Sequence, residues 1–137
     1  MTRNAPNPWL LAAALLGALG VGLGAFGSHA LRDSLTAAAL HTWETAVAYQ
    51  FWHALVLLAL GLWREQLHTA ALRQAVNRAA LVLLLGVLCF SGSLYPLVAF
   101  GWRPLVFVTP LGGFLLIGGW VLLGHAAWLA SRLQREP

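Results

Sequence analysis

Residues 9–30 read WLLAAALLGALGVGLGAFGSHA and contain no formal charge over 22 positions. A bilayer core about 30 Å thick requires roughly 20 apolar residues, because an α-helix rises about 1.5 Å per residue. Three further stretches meet this requirement, and they cover about residues 45–63, 79–100 and 106–131. The sequence therefore predicts an all-α membrane protein, with a bundle of four transmembrane helices in a single domain over residues 1–137.

The composition indicates that lipid is the main solvent of this chain. Hydrophobic residues make up 60% of the 137 residues and charged residues only 9%, against about 25% in a typical soluble domain. So few charges could not cover a water-facing surface. The eight arginines are spread along the chain, whereas nucleic-acid binding requires a basic patch or stripe, so no nucleic-acid partner is expected.

Proline residues leave two positions open for the start of the fourth helix. Thr109 and Pro110 form the pattern of an N-cap followed by a first-turn proline. A start near Pro104 would instead require a kink at the second proline. Pro96 raises the same question about the end of the third helix, so residues 96–109 are expected to be partly non-helical.

Polar residues before two other spans favour earlier helix starts. Ser34 or Thr36 would cap a helix that continues into the second span. Helical turns beginning at Thr69 would lead into the third span. Both helices are then expected to extend beyond their purely apolar segments.

The arginine distribution predicts an orientation, because cytoplasmic loops carry an excess of basic residues. Placing both termini in the cytoplasm leaves Arg32 and Arg103 on the outer side. The inner side then holds six arginines: Arg3, Arg64, Arg73, Arg78, Arg132 and Arg135. This count predicts an N-in, C-in topology. Five tryptophans lie near predicted span ends, where amphipathic rings prefer to sit: Trp9, Trp43, Trp63, Trp102 and Trp128.

Small residues recur on the predicted helix faces at spacings of three and four, which keeps them on one side of a helix. In lipid, such faces allow two backbones to approach closely and to gain van der Waals contact. The expected packing glycines are Gly17, Gly20, Gly24 and Gly27 in the first span, Gly86 in the third, and Gly112 and Gly119 in the fourth. Tight contact between helices is the interpretation that this pattern favours.

Polar residues inside a membrane are costly, so each needs a partner or a purpose. They concentrate in the outer half of the predicted bundle, and this candidate polar or binding zone comprises His29, Glu44, Tyr49, Gln50, His53, Ser91, Ser93 and Tyr95. His53 follows Glu44 by nine positions and Ser91 precedes Phe100 by nine. Each of these two residues would therefore lie about 13 Å inside the membrane, where they could meet.

Known chemical motifs do not account for this zone. A zinc site requires three or four close ligands, and the sequence has neither an HExxH motif nor paired cysteines. Haem ligation by two histidines requires both at one depth, whereas His29 and His53 differ in depth. The run FSGSLY is not the GxSxG motif of a serine nucleophile. No catalytic residue, metal or cofactor is therefore expected, and a hydrogen-bond network between helices is the simplest interpretation.

Four runs of sequence resemble the domain-of-unknown-function 423 family, which is related to transmembrane protein 256 of animals. They are GAFGSHAL (24–31), TWETAVAYQFWHAL (42–55), FSGSLY (90–95), and TPLGG (109–113) with GGW (118–120). Ser28 departs from the alanine that is more usual in the first run. The resemblance implies a small multi-span protein of the bacterial cytoplasmic (inner) membrane, and it implies no established activity.

The sequence leaves two functional hypotheses open. The first is a non-catalytic packing or interaction protein in the lipid bilayer, which forms a homo-oligomer or joins another membrane protein as an accessory subunit. The second is binding or transport of a small solute, ion or lipid through the outer polar zone. Four helices are too few for a typical inverted-repeat transporter, so a pore would require several copies.

Overall fold

The structure, a computed structural model, describes residues 6–133 and contains four long helices in that part of the chain. They are α1 (Pro8–Phe26), α2 (Ala37–Gln66), α3 (Ala70–Phe100) and α4 (Val108–Leu133). Each is long and apolar enough to cross a membrane, and no strand occurs within residues 6–133. The predicted all-α fold with four membrane-crossing helices is confirmed.

Side-chain caps explain where α1 and α2 begin. Asn7 Oδ1 accepts a hydrogen bond from Trp9 N at 3.1 Å, and Pro8 occupies the first turn of α1. Thr36 Oγ1 accepts from Ala39 N at 3.3 Å at the start of α2. Of the two caps considered for α2, the structure uses Thr36. Both caps satisfy backbone N–H groups that have no partner within the helix.

Two helices extend further than the apolar segments suggest. The second apolar segment begins near residue 45, whereas α2 begins at Ala37 and covers 30 residues, or about 45 Å. Likewise α3 begins at Ala70, immediately after Thr69, and not near residue 79. At its other end α1 continues into a π-helical turn at Gly27–Leu31.

The connection between α3 and α4 is more helical than expected. Helix α3 runs through Pro96 to Phe100 and ends at Gly101, whose φ of 67° is a conformation that glycine adopts without strain. A 3₁₀ turn then covers Arg103–Phe107 before α4 begins at Val108. The irregular backbone within residues 96–109 is therefore confined to a short stretch around Gly101.

Of the two starts that the prolines left open for the fourth helix, the structure does not use the one with Thr109 as N-cap. Because α4 begins at Val108, Thr109 lies inside the helix, and its hydroxyl is 3.3 Å from the carbonyl oxygen of Leu105 in the preceding turn. The 3₁₀ turn leads from Pro104 into α4, so the helical path begins close to the earlier of the two proposed starts.

Each helix packs mainly against its neighbour in the chain. Contacts join α1 to α2, α2 to α3 and, most extensively, α3 to α4. The largest fully buried side chains lie on α2 and α3, which places the core along this central pair: Leu57, Val76, Leu83, Val87 and Ser91.

Glycines form the contact between α3 and α4. A Cβ on Gly86 would lie 2.8 Å from Leu116 Cδ2, and one on Gly119 would lie 2.6 Å from Leu83 Cδ2. A Cβ on Gly112 would overlap the backbone of Phe90. Real Cβ atoms do not approach other atoms this closely, so side chains at these positions would push the two helices apart.

The contact between α1 and α2 differs from the expectation at one glycine. Gly20 and Gly24 lie at ordinary contact distance from α2, and Gly27 lies against the ring of Trp43. Gly17 has no atom of a neighbouring helix within 4 Å of where its Cβ would lie, so it is not a packing glycine. At about 100° per residue, Gly17 lies about 60° from Gly20, at the edge of the buried face.

Sequence reasoning missed one packing glycine. A Cβ on Gly61 in α2 would lie 2.6 Å from Leu10 Cδ2 of α1. Gly61 is the only glycine of α2, so it belongs to no series at helical spacing that could have indicated its role.

Candidate functional site

Gln50 joins three helices through its side-chain amide. The residue lies in α2 and is only 4% exposed. Its Nε2 donates to the carbonyl oxygen of Leu16 in α1 at 2.8 Å, and its Oε1 accepts from the hydroxyl of Tyr95 in α3 at 2.9 Å. In a medium of low dielectric constant such bonds are electrostatically stronger than in water. Gln50 therefore fixes how α1 and α3 are placed around α2.

His53 lies one turn further along α2 and is also buried. Its Nδ1 is 2.7 Å from the carbonyl oxygen of Tyr49, and its Nε2 is 3.3 Å from Nε1 of Trp120 in α4. A carbonyl oxygen only accepts and an indole N–H only donates, so Nδ1 holds the proton and Nε2 accepts. His53 is thus a neutral imidazole with both ring nitrogens engaged.

Aromatic rings close the zone on two sides. Trp43 is 3% exposed, donates from Nε1 to the carbonyl oxygen of Leu23 at 2.9 Å, and packs edge-on against Tyr95 at 4.8 Å. The half-buried ring of Tyr49 lies 4.6 Å from that of Phe90. Trp43 therefore lies inside the bundle, where a glycine at position 27 leaves space for the indole.

Ser93 links α3 to α4. Its Oγ lies 2.7 Å from Thr109 Oγ1 and 2.9 Å from the carbonyl oxygen of Phe90. Thr109 in turn reaches the carbonyl oxygen of Leu105. The two hydroxyl protons can point in either direction along this chain of acceptors, and in both arrangements each proton has a partner.

Ser91, which could have met His53 at a similar depth, forms no hydrogen bond with it. It is 1% exposed, and its Oγ has no hydrogen-bond partner among residues 6–133. The nitrogens of His53 are instead occupied by Tyr49 and Trp120. A similar depth predicted from the sequence is therefore not enough for a hydrogen bond, because the two side chains also have to face each other around their helix axes.

Two of the eight candidate residues lie outside the zone. His29 is exposed in the π-helical turn, and Glu44 is exposed on α2. Glu44 instead lines a groove of about 270 Å³ between α1 and α2, together with Ser28. The zone that the structure brings together, here called the polar zone, comprises Tyr49, Gln50, His53, Ser91, Ser93 and Tyr95, joined by Trp43, Thr109 and Trp120.

Trp120 is the member that sequence reasoning missed. It lies well inside the fourth apolar segment, away from the membrane interface where tryptophan is common. An indole N–H at such depth needs a hydrogen-bond acceptor, and this requirement could have indicated from the sequence that Trp120 belongs to the polar zone. The acceptor is His53 of α2, 67 positions earlier in the chain.

The hydrogen bonds of the polar zone hold the helices together, because most of its polar atoms are paired within the chain. Both amide atoms of Gln50, both nitrogens of His53 and the hydroxyls of Ser93 and Tyr95 have partners within the chain. Within residues 6–133, no group of three or more His, Cys, Asp or Glu side chains is placed to hold a metal ion. The buried hydroxyl of Ser91 is the exception to this internal pairing.

Comparison with known proteins places this chain in a family. The family described as "Protein of unknown function (DUF423)" matches residues 23–113. The UPF0382 membrane protein SSP2132 of Staphylococcus saprophyticus is 40% identical over 115 residues, which cover 84% of this chain and 92% of that protein. No solved structure matches the chain.

Two further relatives match a larger part of the chain. A UPF0382 membrane protein of Haemophilus influenzae is 37% identical over 131 residues, which cover 93% of this chain and 98% of the relative. The UPF0382 inner membrane protein YgdD of Escherichia coli is 35% identical over 131 residues, with 93% and 92% covered. The predicted family resemblance and inner-membrane location are confirmed. The chain therefore belongs to the DUF423 family, as a small multi-pass protein of the bacterial inner membrane whose biochemical function is not established.

Proposed function

We propose that this protein is a non-catalytic packing and interaction component of the inner membrane, which self-associates or serves as an accessory subunit of another membrane protein. The observation that supports this most directly is Gln50, whose amide is bonded to both α1 and α3. The polar side chains at the centre of the bundle thus hold the helices together and leave few atoms for a ligand.

The arrangement favours this role over passage of a solute. Ligand sites are concave and offer a few converging polar groups that are free to bind. Here a solute would have to displace hydrogen bonds at Gln50, His53 and Ser93, each of which would then lose a buried partner. An unpaired buried polar group costs about 1–3 kcal/mol, so passage along this route is unfavourable.

The shape of the molecule supports action through its lateral surface. The connections between the helices are short, and nearly all of residues 8–133 lie in helical segments. The described chain therefore presents little besides membrane-crossing helices to any partner. This shape supports a role through contact with other helices in the bilayer.

Native mass spectrometry of protein extracted gently from its own membrane tests the proposal. The expected result is a defined homo-oligomer or a stable complex with another membrane protein. Alanine at Gln50 is expected to weaken the complex or the fold, whereas alanine at the exposed His29 provides a control that leaves both intact. A strictly monomeric protein that conducts a solute in liposomes, and loses only this flux with the Gln50→Ala substitution, would contradict the proposal.

A further inference from the structure

A second feature lies at the opposite end of the bundle from the polar zone. A groove of about 230 Å³ opens where α1 begins, α2 ends and α3 begins, and we call it the Arg64–Arg78 groove. Its lining includes Trp9, Arg64, Gln74, Asn77, Arg78 and Leu81. Arg64 follows His53 by eleven positions, which is about 16 Å along α2. The groove is therefore separate from the polar zone, and the inference below does not depend on the proposed function.

The groove holds two guanidinium groups that have no acidic partner among residues 6–133. Arg64 Nε is buried and has no hydrogen-bond partner among residues 6–133, although a buried N–H is costly to leave unpaired. Glu65 is the only carboxylate of the described chain at this end, and its Oε1 already accepts from Asn7 Nδ2 at 3.1 Å. The positive charge of the groove is thus available to an anion from outside the chain.

The side-chain amide of Asn77 lies beside the arginines and is held in a fixed orientation. Asn77 Oδ1 accepts from the indole Nε1 of Trp9 at 2.8 Å. Since this bond uses the oxygen, it fixes the amide orientation and leaves the two N–H groups of Nδ2 as donors. Arginine forks match the geometry of phosphate oxygens, to which they bind in pairs of parallel hydrogen bonds. The donors around the groove therefore suit a phosphate group.

The surroundings of the groove suit a phosphate that is attached to an apolar chain. Its volume of about 230 Å³ lies below the roughly 300–1,000 Å³ of sites that enclose a small molecule. On α3, Leu81, Leu85 and Leu88 follow at spacings of four and three and are 48%, 44% and 51% exposed. They form an apolar track that leads from the groove toward the middle of the membrane.

We propose that the Arg64–Arg78 groove binds the phosphodiester headgroup of an anionic phospholipid, with one acyl chain along Leu81, Leu85 and Leu88. Basic pockets between transmembrane helices are suited to acidic lipid headgroups. A zwitterionic phosphatidylcholine binds more weakly, because its trimethylammonium group brings a positive charge toward the two guanidinium groups. Free phosphate lacks the contact with the apolar track.

Lipid titration followed by native mass spectrometry tests the headgroup. The delipidated protein is mixed with phosphatidylglycerol or phosphatidylcholine of the same acyl chains, and in a third series with inorganic phosphate. Phosphatidylglycerol is expected to bind at about tenfold lower concentration than phosphatidylcholine, and phosphate is expected not to displace it. Equal binding of the two lipids, or displacement by millimolar phosphate, would overturn the proposal.

Matched arginine variants test the groove. Arg78→Gln and Arg64→Gln are each expected to reduce the preference for phosphatidylglycerol about tenfold, and Arg64→Lys to reduce it less. Arg132→Gln is the control, because it removes one charge at the same end from a guanidinium that lies over Trp128, outside the groove. An equal loss in Arg132→Gln would show a general charge effect and overturn the site. Arg78 is exposed, so its variant keeps the fold, and an unchanged preference in Arg78→Gln would also overturn the site.

Discussion

At the scale of single residues, the bundle depends on side chains that each satisfy a neighbour on another helix. Gln50 accepts from Tyr95 and donates to the backbone of Leu16. His53 accepts from Trp120 and donates to its own helix. The three bonds between helices join residues far apart in sequence, so each of them specifies one arrangement of the helices and excludes others. Hydrogen bonds between transmembrane helices contribute about 0.6 kcal/mol on average and up to about 1.7 kcal/mol.

Removing the Gln50–Tyr95 bond from both sides is expected to cost less than the two single changes together. Tyr95→Phe leaves Gln50 Oε1 without its donor but keeps the ring packing against Trp43. Gln50→Leu leaves the Tyr95 hydroxyl buried without its acceptor. We expect a coupling energy of about 0.5–2 kcal/mol in a double-mutant cycle measured by unfolding in detergent micelles.

Strictly additive destabilisation in this cycle would contradict the assigned bond. Glu44→Gln provides a control, because Glu44 is exposed and lies outside the polar zone. It is expected to change the free energy of unfolding by less than about 0.5 kcal/mol, as surface substitutions usually do.

At the scale of helices, close backbone approach between α3 and α4 depends on where glycine is placed. Gly112 lies against the backbone of Phe90, whereas a Cβ on Gly113 would have no neighbour within 4 Å. The two glycines are adjacent in sequence and about 100° apart around α4. Substitution of each glycine by alanine therefore adds the same methyl group, in a crowded position at Gly112 and in an open position at Gly113.

Gly112→Ala is expected to destabilise the protein by about 1–3 kcal/mol, because the added methyl group meets backbone atoms that cannot move aside without separating the helices. Gly113→Ala is expected to be neutral or slightly stabilising, since alanine favours helix over glycine by about 0.5–1 kcal/mol. Thermal unfolding in detergent measures both. Equal destabilisation by the two substitutions would contradict the packing described for α4.

At the scale of the whole molecule, the orientation in the membrane follows from arginines at the helix ends. The N-in, C-in topology remains a proposal that rests on six inner against two outer arginines. It places the Arg64–Arg78 groove at the cytoplasmic leaflet, where anionic lipids attract basic segments. The polar zone then lies in the outer half of the bilayer.

Cysteine labelling in intact cells tests this orientation. In a Cys89→Ala background, Asp33→Cys is expected to react with a membrane-impermeant maleimide added outside. His68→Cys, in the connection between α2 and α3, is expected to react only after the membrane is permeabilised. Both native residues are exposed, so labelling depends on the side of the membrane. The reverse pattern would contradict the N-in, C-in topology.

The sequence by itself determined the number and nature of the helices, because membrane insertion depends on local length and apolarity. It also indicated a cap of α2 at Ser34 or Thr36, which is a local effect of side chain on backbone, and it indicated that helical turns begin at Thr69. The sequence also indicated most of the packing glycines, because their spacing along one helix can be recognised without the neighbouring helix. Most of them lie in the contacts between helices.

Only the tertiary structure decided which polar residues meet. His29 and Glu44 are polar like the residues of the polar zone, yet they lie outside it. Gly17 has the same helical spacing as the packing glycines, yet it lies outside the contact between α1 and α2. Trp43 enters the core and Trp120 stays half exposed, and each donates to an acceptor on a different helix. These outcomes depend on the rotation of each helix about its axis and on its neighbour. Packing between distant parts of the chain fixes both, and no local pattern in the sequence contains that information.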